Sequence, residues 1–131
     1  MNRTLALTFL LTAPLWTQDK KPDLSGHWTA KPKNYQETIQ QKGPVVTISG
    51  ANLFLKLTTD DRECINEVNG NEFHSKTHWE GAKLVTTVTG DRGLSMVEVR
   101  SLSADGKTQT VETYMGQTRT GSPMVRVEEK N

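Results

Sequence analysis

The stretch Leu53-Phe54-Leu55-Lys56-Leu57-Thr58-Thr59 sets Leu53, Leu55 and Leu57 against Phe54, Lys56 and Thr58. Successive side chains of a β-strand point to opposite faces, so this period of two describes a strand with one fully aliphatic face. Outward from it the same grammar repeats. Pro44 to Ser49 carries Val45, Val46 and Ile48, and Gly50-Ala51-Asn52 turns the chain between the two runs. On the other side Asp60-Asp61 turns the chain into Arg62 to Val68. Asn69-Gly70-Asn71 then leads into Glu72 to Glu80. Asn-Gly is a strong hairpin signal because both residues accept positive φ. Lys83 to Thr89, Leu94 to Leu102, Thr108 to Met115 and Pro123 to Glu129 follow, separated by Gly81, Gly90-Asp91-Arg92-Gly93, Ala104-Asp105-Gly106-Lys107 and the Gly- and Thr-rich 116–122.

With Leu24 to Ala30 ahead of them, these make about eight to nine short strands with turns every eight to twelve residues. Connections this short favour antiparallel neighbours. A long meander leaves two raw edges unless it closes on itself. The expectation is therefore an all-β chain, a single antiparallel meander closing into a barrel. Lys31 to Gly43 lies outside the pattern: Tyr35 and Ile39 are spaced four apart, which fits a helical turn, an ordered lid or a loop.

The chain has 131 residues, enough for one domain, and 16 Lys and Arg against 15 Asp and Glu. Its start has the layout of an export signal. Asn2 and Arg3 precede an apolar run from Leu5 to Trp16, too short to span a bilayer, and Gln18-Asp19-Lys20-Lys21 marks the exit. Ala13, Thr17 and Gln18 are the candidate cleavage ends. The expected organisation is a signal peptide over 1–18 and a β-barrel over 19–131, periplasmic or secreted, with no transmembrane segment in the mature chain. Without Arg3 the charges balance, leaving no basic field for nucleic acid.

Gly26-x-Trp28 on the first strand resembles the opening of the lipocalin and calycin barrels. Trp79 to Thr87 and Leu102 to Thr108 are similar to segments of small exported bacterial proteins of lipocalin-like type. The resemblance implies that Trp28 packs across the barrel floor with a late basic residue over it, Arg126 or, less well placed, Arg119. The Thr-Asp-Tyr motif of that family is absent, and the mature chain is short for a lipocalin.

Groups with catalytic or metal-binding chemistry are scattered. Cys64 is alone, so no intramolecular disulfide forms. His74 and His78 share one face of a strand but lie about 13 Å apart, too far for one metal. There is no nucleophile motif and no phosphate-binding glycine loop. The expectation is a protein that is not an enzyme and has no cofactor or metal. On the last three strands Val97, Val99, Val111, Val125 and Val127 read as the core. Glu98, Arg100, Glu112 and Tyr114 then lie on the outer surface, or, in the inverted reading, line a polar cavity.

Two functions follow. In the first, the barrel mouth holds a small apolar or amphipathic ligand, lined by Leu53, Leu55, Leu57, Leu84 and Val88, with Trp28 and Arg126 at the floor and Tyr35 in a lid. In the second, side chains fill the interior and the protein is a non-enzymatic interaction or structural protein of the envelope.

Overall fold

The structure is a computed structural model that describes residues 21–30 and 35–131; the expected signal segment 1–18 lies outside them. Ten strands form one antiparallel sheet: β1 (Gly26–Ala30), β2 (Gln36–Lys42), β3 (Val45–Gly50), β4 (Leu53–Thr58), β5 (Cys64–Val68), β6 (Asn71–Glu80), β7 (Lys83–Gly90), β8 (Ser95–Leu102), β9 (Thr108–Met115) and β10 (Met124–Lys130). The order β4-β3-β2-β1-β10-β9-β8-β7-β6-β5 is a meander in which β1 also pairs with β10. β4 and β5 come back into contact without a backbone ladder, so the barrel is nearly closed. At that seam the Asn66 side chain substitutes for a strand: its Oδ1 accepts from Lys56 N at 3.0 Å and its Nδ2 donates to Lys56 O at 3.2 Å.

The strand count exceeds the expectation by one because β2 occupies the stretch read as a turn, lid or loop. Glu37 and Ile39 do alternate inward, both buried. One of the two is a carboxylate, so hydropathy alone hides the period. The Asn69-Gly70 hairpin forms as read, with φ of 54° and 81°.

Residues directly opposite in a ladder share a face, so the register separates inside from outside. Leu84 pairs with Arg100, Arg100 with Val111, and Val111 with Arg126. The β7–β8 hairpin pairs even with even, but β8–β9 and β9–β10 pair an even number with an odd one, so the inward parity switches at β9 and switches back at β10. This corrects the valine-face reading. Val111 points inward with Glu98, Arg100 and Arg126, while Glu112 and Tyr114 point outward. Val125 and Val127 are exposed on the outside. Val85, Val97 and Val99 are outward too, yet buried, in a small cluster with Tyr114. The 116–122 segment reaches back over this face, where Arg119 Nη2 donates to Glu80 Oε2 at 2.8 Å.

One end of the barrel is shut. Leu24 plugs it, packed with Trp28, Ile39, Val46, Ile48, Leu57 and Leu84. Gln41 ties the plug down, accepting from Leu24 N and donating to Pro22 O, both at 2.9 Å. Trp28 Nε1 donates to Leu24 O at 2.9 Å, which satisfies the one polar atom of a fully buried indole. Gly26 sits at φ 152°, where a side chain is strained, and the Lys130 methylenes lie against its open face. Trp28 therefore takes the floor position that the Gly-x-Trp resemblance implies, but the basic residue over it is Lys130, at 5.8 Å from the ring centroid, and not Arg126.

Candidate binding cavity and buried ion cluster

The other end is a mouth built by the tops of β4 to β8. Leu53, Leu55, Leu57, Val68, Phe73, Ser75, Thr86, Val88, Met96 and Glu98 surround a cavity of ≈ 170 Å³. The alternation of β4 supplies its aliphatic wall. Phe73 reaches its place because its cross-strand neighbour is Gly90, where a Cβ would meet the ring at 2.9 Å. An apolar cavity of roughly 150 Å³ takes a benzene-sized molecule, so the space suits a small apolar body.

The polar groups of this cavity are few. Thr86 Oγ1 is bonded to Thr77 Oγ1 at 3.0 Å. Ser75 is 5% exposed and presents a hydroxyl to the same cavity lining. Glu98 is the charged member. Its Oε1 accepts from Arg100 Nε at 2.8 Å, and its Oε2 accepts no hydrogen bond from the described residues.

Arg100 connects the cavity to a buried ion cluster on the opposite wall. Its Nη1 and Nη2 donate to Glu37 Oε2 and Oε1 at 2.8 and 3.3 Å, the two-pronged geometry that suits a guanidinium. Its Nη1 also donates to Gln109 Oε1 at 3.3 Å, and Gln109 Nε2 donates onward to Glu128 Oε1 at 2.6 Å. Arg126 Nε donates to Glu128 Oε2 at 2.8 Å, its Nη2 lies 3.6 Å from Glu37 Oε2, and its guanidinium stacks on Tyr35 at 4.3 Å. Tyr35 Oη donates to Glu37 Oε1 at 3.2 Å.

Burial in so small a space sets the charge states. It pushes the Tyr35 phenol up to about 12, with Glu37 adding to the effect. It also acts to raise Glu37, but Arg100 and the shared hydrogen bond with Glu128 outweigh it and hold Glu37 near 2. Glu128 goes the other way: burial first, then the neighbouring Glu37 charge, lift it to about 7 against the pull of Arg126. Two carboxyls side by side cannot both ionise cheaply. Arg100 loses charge stability to burial but gains more from Glu98 and Glu37, and stays protonated.

The eight residues singled out from the sequence divide into three places. Leu53, Leu55, Leu57 and Val88 meet at the cavity. Trp28 and Leu84 are packed in the floor. Tyr35 and Arg126 stack on each other in the ion cluster. Glu98 and Arg100 follow the inverted reading and face inward; Glu112 and Tyr114 do not. Glu37, Gln109 and Glu128 were not singled out, and only the even-with-odd register of the hairpins could have placed them inside. His74 and His78 share the outer face, each between carboxylates: His74 with Glu63 and Glu72, His78 with Asp61 and Glu80. The two acidic hydrogen bonds raise the His74 pKa.

The fold has a solved counterpart. The barrel is similar to a secretary abundant heat soluble (SAHS) protein from Ramazzottius varieornatus, crystallised from a dimer sample. The TM-score is 0.65 at 12% identity, over 82% of this chain and 94% of that one. At that identity the likeness speaks for the barrel fold alone. No family model and no curated protein matches the chain. Among the described residues no helix is long and apolar enough to cross a membrane.

Proposed function

We propose that this chain is an exported binding protein that holds a small apolar or amphipathic molecule in the mouth of its barrel, and that it is not an enzyme. The observation that carries the reading is the ≈ 170 Å³ cavity walled by Leu53, Leu55, Leu57, Phe73, Val88 and Met96, above a packed floor. Space left open among apolar side chains forgoes packing and costs stability unless something occupies it. The fully enclosed groups Glu37, Arg100 and Glu128 are committed to one another and to their neighbours rather than presented to a substrate, which favours binding over catalysis.

The supporting experiment is native mass spectrometry of the chain produced with residues 1–18 and recovered from the exported fraction. A mass corresponding to cleavage near Thr17 or Gln18, with a small molecule retained, is the expected result. Val88→Phe, which places a ring in the cavity, should abolish retention while leaving the circular dichroism spectrum intact. An intracellular, uncleaved chain would refute the export reading. An exported chain that is always empty and takes up no apolar probe would favour the second reading, an envelope interaction protein. The filled lower half of the barrel is the feature that speaks for it.

A further inference from the structure

We infer that the cavity selects a ligand with a compact apolar body and a single positive charge, such as a small protonated amine, seated with its cation on Glu98. This rests on the binding reading above and adds the ligand's charge to it.

Three observations converge. The first is a count of charge. Among the described residues the interior cluster sets three carboxylates, Glu37, Glu98 and Glu128, against two guanidiniums, Arg100 and Arg126. Lys130 does not restore the balance, being exposed at the closed end over Trp28. Once all three acids are ionised, this described cluster carries one negative charge more than its guanidiniums balance, and unpaired charge in a poorly solvated site is costly.

The second is where that surplus can be met. Glu37 and Glu128 are fully enclosed and use both oxygens on Arg100, Arg126, Tyr35 and Gln109. Glu98 is the member that lines the cavity, and of its two oxygens only Oε1 is engaged, by Arg100. A cation there completes the count and gains a charge-assisted hydrogen bond in a poorly solvated site. A carboxylate ligand would add to the surplus.

The third is Ser75. It is buried and lines the same cavity, so its hydroxyl can accept a second N–H from an ammonium group. The groups facing Glu128 supply the competing solution: Glu37 from β2, Gln109 from β9, Arg126 beside it on β10, and Arg100 of β8 behind Glu37. When a proton sits on the Glu37–Glu128 pair, the count balances without a ligand. Cation binding should therefore strengthen as pH rises through about 7, where Glu128 loses its proton.

The test is a calorimetric and methyl-NMR titration at about pH 8 with four probes of one shape: toluene, benzyl alcohol, benzylamine and benzoate. The expected result is benzylamine binding about tenfold more tightly than benzyl alcohol, with benzoate weakest. In Glu98→Gln, which keeps an oxygen for Arg100 Nε and removes the surplus charge, benzylamine should fall to the level of benzyl alcohol while toluene is unaffected. Toluene binding also reports that the variant keeps its cavity. If the neutral probes bind wild-type protein as tightly as benzylamine, the charge inference is overturned and the binding cavity stands. If no probe perturbs the Leu53, Leu55 or Val88 methyls, the cavity reading itself falls and the inference with it.

Discussion

The two halves of this barrel solve the interior problem in opposite ways. At the closed end, Leu24, Trp28, Ile39, Ile48 and Leu84 fill the space, and the remaining polar atoms are tied off by Gln41 and the Trp28–Leu24 hydrogen bond. Towards the mouth, one wall is an ion cluster whose members hold one another, and the other wall is bare aliphatic surface around a cavity. A filled floor and a self-contained ion cluster give the barrel rigidity without requiring its mouth to be packed. The open wall is thereby free to be specified by what enters it.

The largest effect should come from breaking the cluster that joins the halves. Arg100→Met removes the partner of a fully enclosed Glu37 and leaves carboxylates uncompensated, and should cost about 3–5 kcal/mol in denaturant unfolding. A loss below about 1 kcal/mol would mean that the interior tolerates charge and that the cluster is incidental.

Next is the same substitution made on both sides of the divide. Leu84→Ala, in the floor, should destabilise by about 2–5 kcal/mol, since the packed site cannot collapse. Leu53→Ala, on a wall that already borders open space, should cost about 1 kcal/mol or less. Equal losses would erase the distinction between a packed and an open half.

The pH dependence sharpens it further. Glu128 holds its proton more tightly folded than unfolded, so stability falls as pH rises from the ordinary 4.5 to about 7. Glu37 does the reverse, adding stability above 4.5 that is lost as pH falls towards 2. Glu128→Gln mimics the protonated acid and should flatten the decline between the ordinary 4.5 and about 7, by about 2 kcal/mol relative to wild type. Parallel wild-type and variant curves would contradict the shared-proton pair.

The smallest effect belongs to the seam. Asn66→Ala removes two hydrogen bonds to Lys56 and should cost about 1 kcal/mol, with faster amide exchange at Lys56 and little change at the floor.

Much of the fold was legible because the strands from β3 onward carry aliphatic alternation and are punctuated by Asn-Gly, Asp-Gly and Gly-rich turns. Leu53, Leu55 and Leu57 were placed on one strand face by period two alone, and the barrel resemblance turned that face towards a cavity. β2 was missed because its buried positions include Glu37, and a strand whose inward residue is an acid looks like a polar loop. The ion cluster was concealed for a related reason. Glu98, Arg100, Arg126 and Glu128 look like an outer face until the hairpin register shows that Val111, and not Glu112, lies beside Arg100. Trp28 was read correctly as the floor. Its cationic neighbour was not, because the choice between Arg126 and Lys130 depends on the β1–β10 register, which pairs Trp28 with Lys130.

The account turns on the mouth cavity being a binding site while the floor is not. Methyl-resolved NMR with a small apolar probe such as toluene tests this most directly. Saturable shifts at Leu53, Leu55, Leu57, Val88 and Met96, with Leu24, Ile39 and Leu84 unmoved, are the predicted result. Shifts spread evenly over both groups, or none at any probe concentration, would contradict it.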